Sequence, residues 1–60
     1  MAAAIIGMVK GKGEHNLEVK WDEYSQEIFV KLEIWTYVGK APFPGEALKK
    51  AGEWVQEKQV

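Results

Sequence analysis

Few residues in this 60-residue chain could perform chemistry. The only histidine, His15, follows Glu14, which could orient its imidazole. The candidate nucleophiles are the hydroxyls of Ser25 and Thr36, together with the lysines. A serine–histidine–acid set requires three groups that converge from a rigid frame. His15 and Ser25 fall in consecutive predicted connections, which lie at opposite ends of an antiparallel meander. We therefore predict no catalytic site and no enzyme activity.

The stretch GMVKGKGEHN raises the question of a phosphate-binding loop. A Walker-type loop needs G-x-x-x-x-G-K-[ST] and a helix directly after it. Here only three residues separate Gly7 from Gly11, Gly13 stands where the hydroxyl residue is required, and an alternating strand follows. The dinucleotide fingerprint G-x-G-x-x-G fails as well, because Asn16 occupies the place of the third glycine. We predict a hairpin connection over residues 10–16, with glycines supplying positive φ angles.

The composition excludes several kinds of site. The chain has no cysteine, which excludes disulfides and thiolate zinc sites. His15 with Glu14 or Asp22 would be a weak ligand set, so we predict no metal and no cofactor. All eight basic residues are lysine and the net charge is −1. The missing arginine fork disfavours the reading of base edges, and the near-zero charge disfavours strong binding to DNA or an anionic membrane.

The apolar start, MAAAIIGMVK, could be mistaken for a targeting segment. Its apolar run is only about eight residues long and no positive charge precedes it. A membrane-spanning helix needs about 20 apolar residues, and a signal peptide begins with a positively charged region. We therefore expect an intracellular, cytoplasmic protein that does not associate with membranes.

The length predicts a single small domain over residues 1–60. A chain this short buries only about 60% of the surface that its unfolded form exposes. Domains of this size usually depend on disulfides, a metal or a partner chain. Because the first two are excluded, self-association or an unusually good aromatic core must supply the stability.

Two segments in the first half of the chain are predicted to be strands. Residues 2–9 are apolar in both alternating sets, and Gly7 with the β-branched pair Ile5 and Ile6 favours a strand over a short helix. Such a strand is usually covered on both faces. Residues 16–22 alternate strictly between apolar and charged, as in a strand with one solvated face. The polar stretch EYSQE is predicted to turn the chain.

The longest alternating run is IFVKLEIWTYV, Ile28 to Val38. It predicts one long third strand whose core face carries Ile28, Val30, Leu32, Ile34, Thr36 and Val38. At about 3.3 Å per residue such a strand would extend roughly 36 Å. The partner segment, residues 16–22, is shorter. Part of the long run must therefore pair with the first strand, pair with a second chain, or bend.

A helix is predicted from Gly45 to about Lys58. Pro42 and Pro44 stop the preceding strand because they lack the amide proton, and Pro44 suits the first turn of a helix. One apolar stripe of this helix contains Ala47, Leu48, Ala51, Trp54 and Val55. Gly52 borders the stripe and suggests a close approach to the sheet.

These elements predict an α+β fold, a three-stranded antiparallel meander with one C-terminal helix packed on one face. The expected core residues are Leu17, Val19, Trp21, Val30, Leu32 and Ile34 from the sheet, with Leu48, Ala51 and Val55 from the helix.

The second side of the long run is the feature from which we infer a function. It carries Phe29, Lys31, Glu33, Trp35 and Tyr37, and three aromatic side chains exposed on a small domain form a patch that usually binds something. We predict a non-enzymatic interaction module, a homodimer assembled through the long third strand and its aromatic side. Docking of another protein, including strand addition at a sheet edge, is a further hypothesis.

The alternative is binding of single-stranded nucleic acid, with bases stacked on Phe29, Trp35 and Tyr37 and lysines near the backbone. A sheet followed by a helix does this in the single-stranded-DNA-binding transcriptional coactivators, which the chain resembles in architecture and in its aromatic-rich strand. No motif of that family maps onto this sequence residue by residue, so we assign no family.

Overall fold

The computed structural model describes residues 3–60, which form one sheet and one long helix. The strands are β1 (Ala3–Lys10), β2 (Asn16–Asp22), β3 (Glu27–Lys31) and β4 (Trp35–Lys40), and the helix is α1 (Pro44–Lys58). A short 3₁₀ turn, Lys12–Glu14, joins β1 to β2. All neighbouring strands are antiparallel, in the order β1-β2-β3-β4. The α+β class, the antiparallel meander and the C-terminal helix are thus confirmed, but the sheet has four strands and not three.

The predicted third strand is wrong as a single element. Residues 28–38 bend at residues 32–34 and continue as a hairpin, with Val30 opposite Thr36. The amide of Leu32 donates to the carbonyl of Ile34 at 3.0 Å, and the Thr36 hydroxyl donates to the same carbonyl at 3.2 Å. The bend gives β3 a second hydrogen-bonded neighbour, whereas one straight strand would outrun the shorter β2 and leave backbone groups unpaired.

The bend also overturns one predicted core residue. Ile34 lies at the tip of the β3–β4 turn and is 73% exposed, although its place in the alternating pattern put it on the core face. Val38 lies at a β-bulge, where Ile28 pairs with Gly39 and Phe29 with Tyr37. It packs at the margin of the core.

The two strands predicted in the first half of the chain are confirmed. Within the described residues the first runs as a strand from Ala3, and Ala2, where the predicted segment begins, lies outside them. The connection between β1 and β2 is a turn, as predicted, and Gly13 adopts a positive φ of 69° in it. The turn after β2 is held by the Asp22 carboxylate, which accepts the amides of Tyr24 and Ser25 at 2.8 and 3.2 Å.

The helix covers one face of the sheet. Pro44 occupies its first turn, as the sequence predicts, and Ala47, Ala51 and Val55 are its buried residues. They pack against Val19, Ile28, Val30 and Ala41 to form the core. The predicted core residues Leu17, Trp21, Leu32 and Leu48 are half-buried and pack around this centre.

Gly52 faces the sheet, as expected, but Gly7 of β1 lies closer to the opposite layer than Gly52 does. A Cβ on Gly7 would lie 3.1 Å from a methyl carbon of Leu48. A Cβ on Gly52 would lie 3.7 Å from Val9, an ordinary contact. Gly52 therefore faces the sheet without being required there.

Candidate interaction surface

The face of the sheet opposite α1 has no second layer within residues 3–60, and we call it the open face. The antiparallel register places the side chains at the centre of this face in two rows across the strands. One row contains Ile5, Lys20, Phe29 and Tyr37, because Ile5 pairs with Lys20, Lys20 with Phe29, and Phe29 with Tyr37. The other row contains Met8 opposite Glu18, and Lys31 opposite Trp35.

The two aromatic residues of the first row contact each other directly. The ring centroids of Phe29 and Tyr37 are 6.0 Å apart with an interplanar angle of 65°, an edge-to-face pair. Their contact follows from their opposed positions on β3 and β4. Edge-to-face pairs are a favoured geometry for aromatic rings and contribute about 0.5–1.5 kcal/mol beyond the area that they bury.

Two lysines lie over the aromatic rings. The ammonium nitrogen of Lys20 is 4.4 Å from the centroid of Trp35 and 5.8 Å from that of Phe29. The ammonium nitrogen of Lys31 is 5.2 Å from the Trp35 centroid. A cation over a ring is attracted by the negative face of the π-system. Trp35 therefore lies at the centre of a small cluster of rings and positive charges.

Apolar surface extends from this cluster across the sheet to β1. Ile5 and Met8 are 55% and 57% exposed, and Tyr37 is 51% exposed. Phe29 and Trp35 are half-buried beneath the lysine stems. Exposed apolar side chains from both edge strands thus share one face, and such a grouping usually marks a contact surface.

The open face carries charges of both signs. Lys20 is flanked on its own strand by Glu18 and Asp22, which point to the same side because strand side chains alternate. Asp22 is engaged by the β2–β3 turn, and the Glu27 carboxylate accepts the hydroxyl of Ser25 at 3.0 Å. Near the centre of the face, the charges not engaged by this turn are those of Glu18, Lys20 and Lys31.

The structure brings all four predicted interface residues to the open face. Phe29 and Lys31 lie on β3, and Trp35 and Tyr37 lie on β4, so they meet across a hairpin and not along one strand. Their role as an interface stays a prediction. Sequence reasoning missed Lys20, Ile5 and Met8. The signal for Lys20 was its place among the charged residues that alternate along the second strand. The signal for Ile5 and Met8 was the first strand, which is apolar in both alternating sets.

His15 and Ser25, the candidate members of a catalytic set, do not meet. His15 precedes β2 and Ser25 follows it, so they lie at opposite ends of that strand, and both are exposed. Among residues 3–60, no group of three or more histidine, cysteine, aspartate or glutamate side chains could hold a metal ion. No helix in this part of the chain is long and apolar enough to cross a membrane.

A shallow groove lies between β1 and α1, lined by Val9, Leu48 and Gly52 with charged residues at its rim. It lies on the helix side of the sheet, at the edge formed by β1.

Comparison of the chain with protein-family models, with curated proteins and with solved structures finds no match. The function proposed below therefore rests on the open face.

Proposed function

We propose that this chain is a non-enzymatic interaction module that forms a homodimer through its open face. The observation that carries the proposal is the uncovered sheet face, on which Ile5, Met8 and Tyr37 are each more than half exposed beside the Phe29–Trp35 cluster. Burial of apolar surface stabilises by about 25 cal/mol per Å². A partner that covered this face would give the sheet a second core.

The partner that fits this face best is a second copy of the chain. The face carries lysines and carboxylates side by side, so two copies can match opposite charges, and a net charge of −1 gives little repulsion between them. A small domain without disulfides also gains stability from self-association. The bend at residues 32–34 removes the excess strand length as an argument for strand pairing, so we propose that the two sheets pack face to face.

The experiment is a mass measurement in solution on the unmodified chain and two matched variants. Tyr37→Glu places a charge on the open face. Tyr24→Glu makes the same change in the β2–β3 turn, where Tyr24 is 80% exposed. We expect twice the chain mass for the unmodified protein and for Tyr24→Glu, and the mass of one chain for Tyr37→Glu. A dimer that persists in Tyr37→Glu would overturn the proposal, and so would a single chain in all three.

Binding of single-stranded nucleic acid is the second candidate. Its support is the position of the Lys20 and Lys31 ammonium groups 4.4 and 5.2 Å from the centroid of Trp35. Bases stack on aromatic rings while nearby lysines neutralise phosphates. Glu18 and Asp22 on the same face weaken this hypothesis, because they repel a polyanion.

The two candidates separate in one titration. A single-stranded oligonucleotide added at low salt would quench tryptophan fluorescence if Trp35 stacks on bases, and salt would reverse the quenching. Trp35→Phe would abolish the effect and Trp54→Phe, on α1, would keep it. Absence of quenching at low salt rejects this second candidate and leaves the homodimer unaffected.

A further inference from the structure

We propose that the two-fold axis of the homodimer lies between the two packed sheets and runs perpendicular to their strands. In this arrangement Glu18 of each copy contacts Lys20 of the second copy. This inference rests on the proposed function. It adds the orientation of the two sheets and the charged pair that determines it.

The two rows of the open face define the position of the axis. It lies between the row of Ile5, Lys20 and Tyr37 and the row of Met8, Glu18 and Trp35. Rotation about this axis exchanges the rows and keeps each strand over the same strand of the second copy. A two-fold interface is self-complementary, so each contact occurs twice.

This arrangement places aliphatic side chains over each other on β1 and aromatic side chains over each other on β4. On β1, Ile5 lies over Met8 of the second copy, and both are more than half exposed in the single chain. On β4, Trp35 lies over Tyr37 of the second copy. The apolar and aromatic side chains left exposed by the single chain therefore cover one another.

The charges on β2 complement each other in the same arrangement. Glu18 lies over Lys20 of the second copy, and Lys20 lies over its Glu18. In the single chain the ammonium of Lys20 lies over Trp35, the position that Tyr37 of the second copy takes in this arrangement. The Lys20 side chain therefore turns from Trp35 to Glu18 of the second copy when the dimer forms. A charge enclosed in an interface needs an opposite partner, because an unpaired charge removed from water is strongly destabilising. The axis across the strands supplies that partner.

A second face-to-face arrangement, with the axis along the strands between β2 and β3, is disfavoured by the carboxylates of Asp22 and Glu27. It would place Glu18 over Lys31 of the second copy and Lys20 over Phe29. The proposed axis likewise gives each copy one glutamate–lysine contact and one lysine over Phe29, in that case Lys31, so these contacts do not separate the two arrangements. The second arrangement would, however, oppose Asp22 to Glu27 of the second copy, and like charges opposed across an interface are repulsive. The register of the sheet therefore distinguishes the two axes.

The test uses charge reversal and mixing. Glu18→Lys and Lys20→Glu each place like charges across the proposed contact, so each variant alone should dimerise at least about tenfold more weakly. Mixing the two variants restores both contacts. The introduced lysine of one chain then meets the introduced glutamate of the other, and the native Lys20 meets the native Glu18. We expect a heterodimer of near-normal affinity, whose recovery also shows that both variants are folded.

The matched control replaces Lys20→Glu by Lys31→Glu, which changes the charge equally. Mixed with Glu18→Lys, this variant leaves the introduced lysine facing the native Lys20 at one of the two symmetric contacts, while the other contact stays native. The heterodimer should therefore remain clearly weaker than the one formed with Lys20→Glu. Restoration with Lys31→Glu but not with Lys20→Glu would overturn the inference in favour of the axis along the strands. Equal restoration with both, or no loss in either single variant, would also overturn it while leaving the homodimer intact. A single chain for the unmodified protein would overturn the proposed function itself.

Discussion

The two faces of the sheet differ in how completely their aromatic and aliphatic side chains are shielded from solvent. On the covered face, α1 encloses Val19, Ile28 and Val30 completely. On the open face, lysine stems and ring-to-ring contacts shield Phe29 and Trp35 only in part. Within residues 3–60 the covered face is enclosed by α1, whereas the open face leaves Ile5, Met8 and Tyr37 more than half exposed.

The two faces also use tryptophan differently. The indole nitrogen of Trp21, on the covered face, donates to the carbonyl of Ala41 at 2.9 Å and ties the sheet to the segment that enters α1. Trp35, on the open face, lies beneath the ammonium groups of Lys20 and Lys31. The same residue type therefore makes a hydrogen bond to the backbone on one face and contacts side-chain cations on the other.

The largest expected difference in stability is between substitutions of two isoleucines from the same alternating run. Ile28→Ala should destabilise the fold by about 2–5 kcal/mol, because Ile28 is fully buried beneath α1. Ile34→Ala should change stability by less than about 0.5 kcal/mol, since Ile34 lies at an exposed turn. Denaturant unfolding measures both. Similar losses in the two variants would mean that residues 32–34 do not bend as described.

The second largest loss of stability is expected where Val60 packs on the connection between β1 and β2, at the end of the covered face. A Cβ on Gly11 would lie 2.5 Å from the Val60 carbonyl oxygen, which accepts the Lys12 amide at 2.6 Å. Gly11→Ala should therefore cost about 1–3 kcal/mol of unfolding free energy. An unchanged midpoint of thermal unfolding would show that Val60 does not pack there.

The tryptophans of the two faces should respond differently to the same substitution. Trp21→Phe should lower the free energy of unfolding by about 1 kcal/mol, because the Ala41 carbonyl loses its donor. Trp35→Phe should leave the stability of the single chain nearly unchanged and weaken self-association. Unfolding curves at two protein concentrations separate the effects, because only a loss of dimer depends on concentration. Identical behaviour of the two variants would contradict the difference between the faces.

The smallest expected effect is a gain in stability. Gly52→Ala should raise the unfolding free energy by about 0.5–1 kcal/mol, because alanine is the better helix former and its Cβ would make an ordinary 3.7 Å contact with Val9. Thermal unfolding checks the direction. A loss of stability would show that α1 approaches β1 more closely than the structure indicates.

Much of the fold could be predicted from the sequence because its elements have strong local signals. The strict alternation of residues 16–22 and the apolar stripe after Pro44 each determine one element. The bend at residues 32–34 could not be predicted in this way. Lys31 pairs with Trp35, and Val30 pairs with Thr36, so the sequence numbers of opposed residues differ by an even number. Residues that share a face therefore keep the same place in the alternation before and after the turn, and the pattern shows no break. The turn also lacks the glycine, proline or asparagine that usually marks one.

The open face could be predicted only in part for a related reason. Alternation identified Phe29, Lys31, Trp35 and Tyr37 as one side of a strand, and the structure places them on one face. The inclusion of Lys20 depends on its pairing with Phe29, and that of Ile5 depends on the bulge between Ile5 and Gly7. Strand pairing joins residues distant in the chain, so a local pattern does not contain it.

The most direct test of the central claim is the mass of the unmodified chain by sedimentation equilibrium over a range of concentrations. The homodimer proposed through the open face predicts about twice the 6.8 kDa of one chain, falling towards 6.8 kDa on dilution. A mass of 6.8 kDa at every concentration would contradict it.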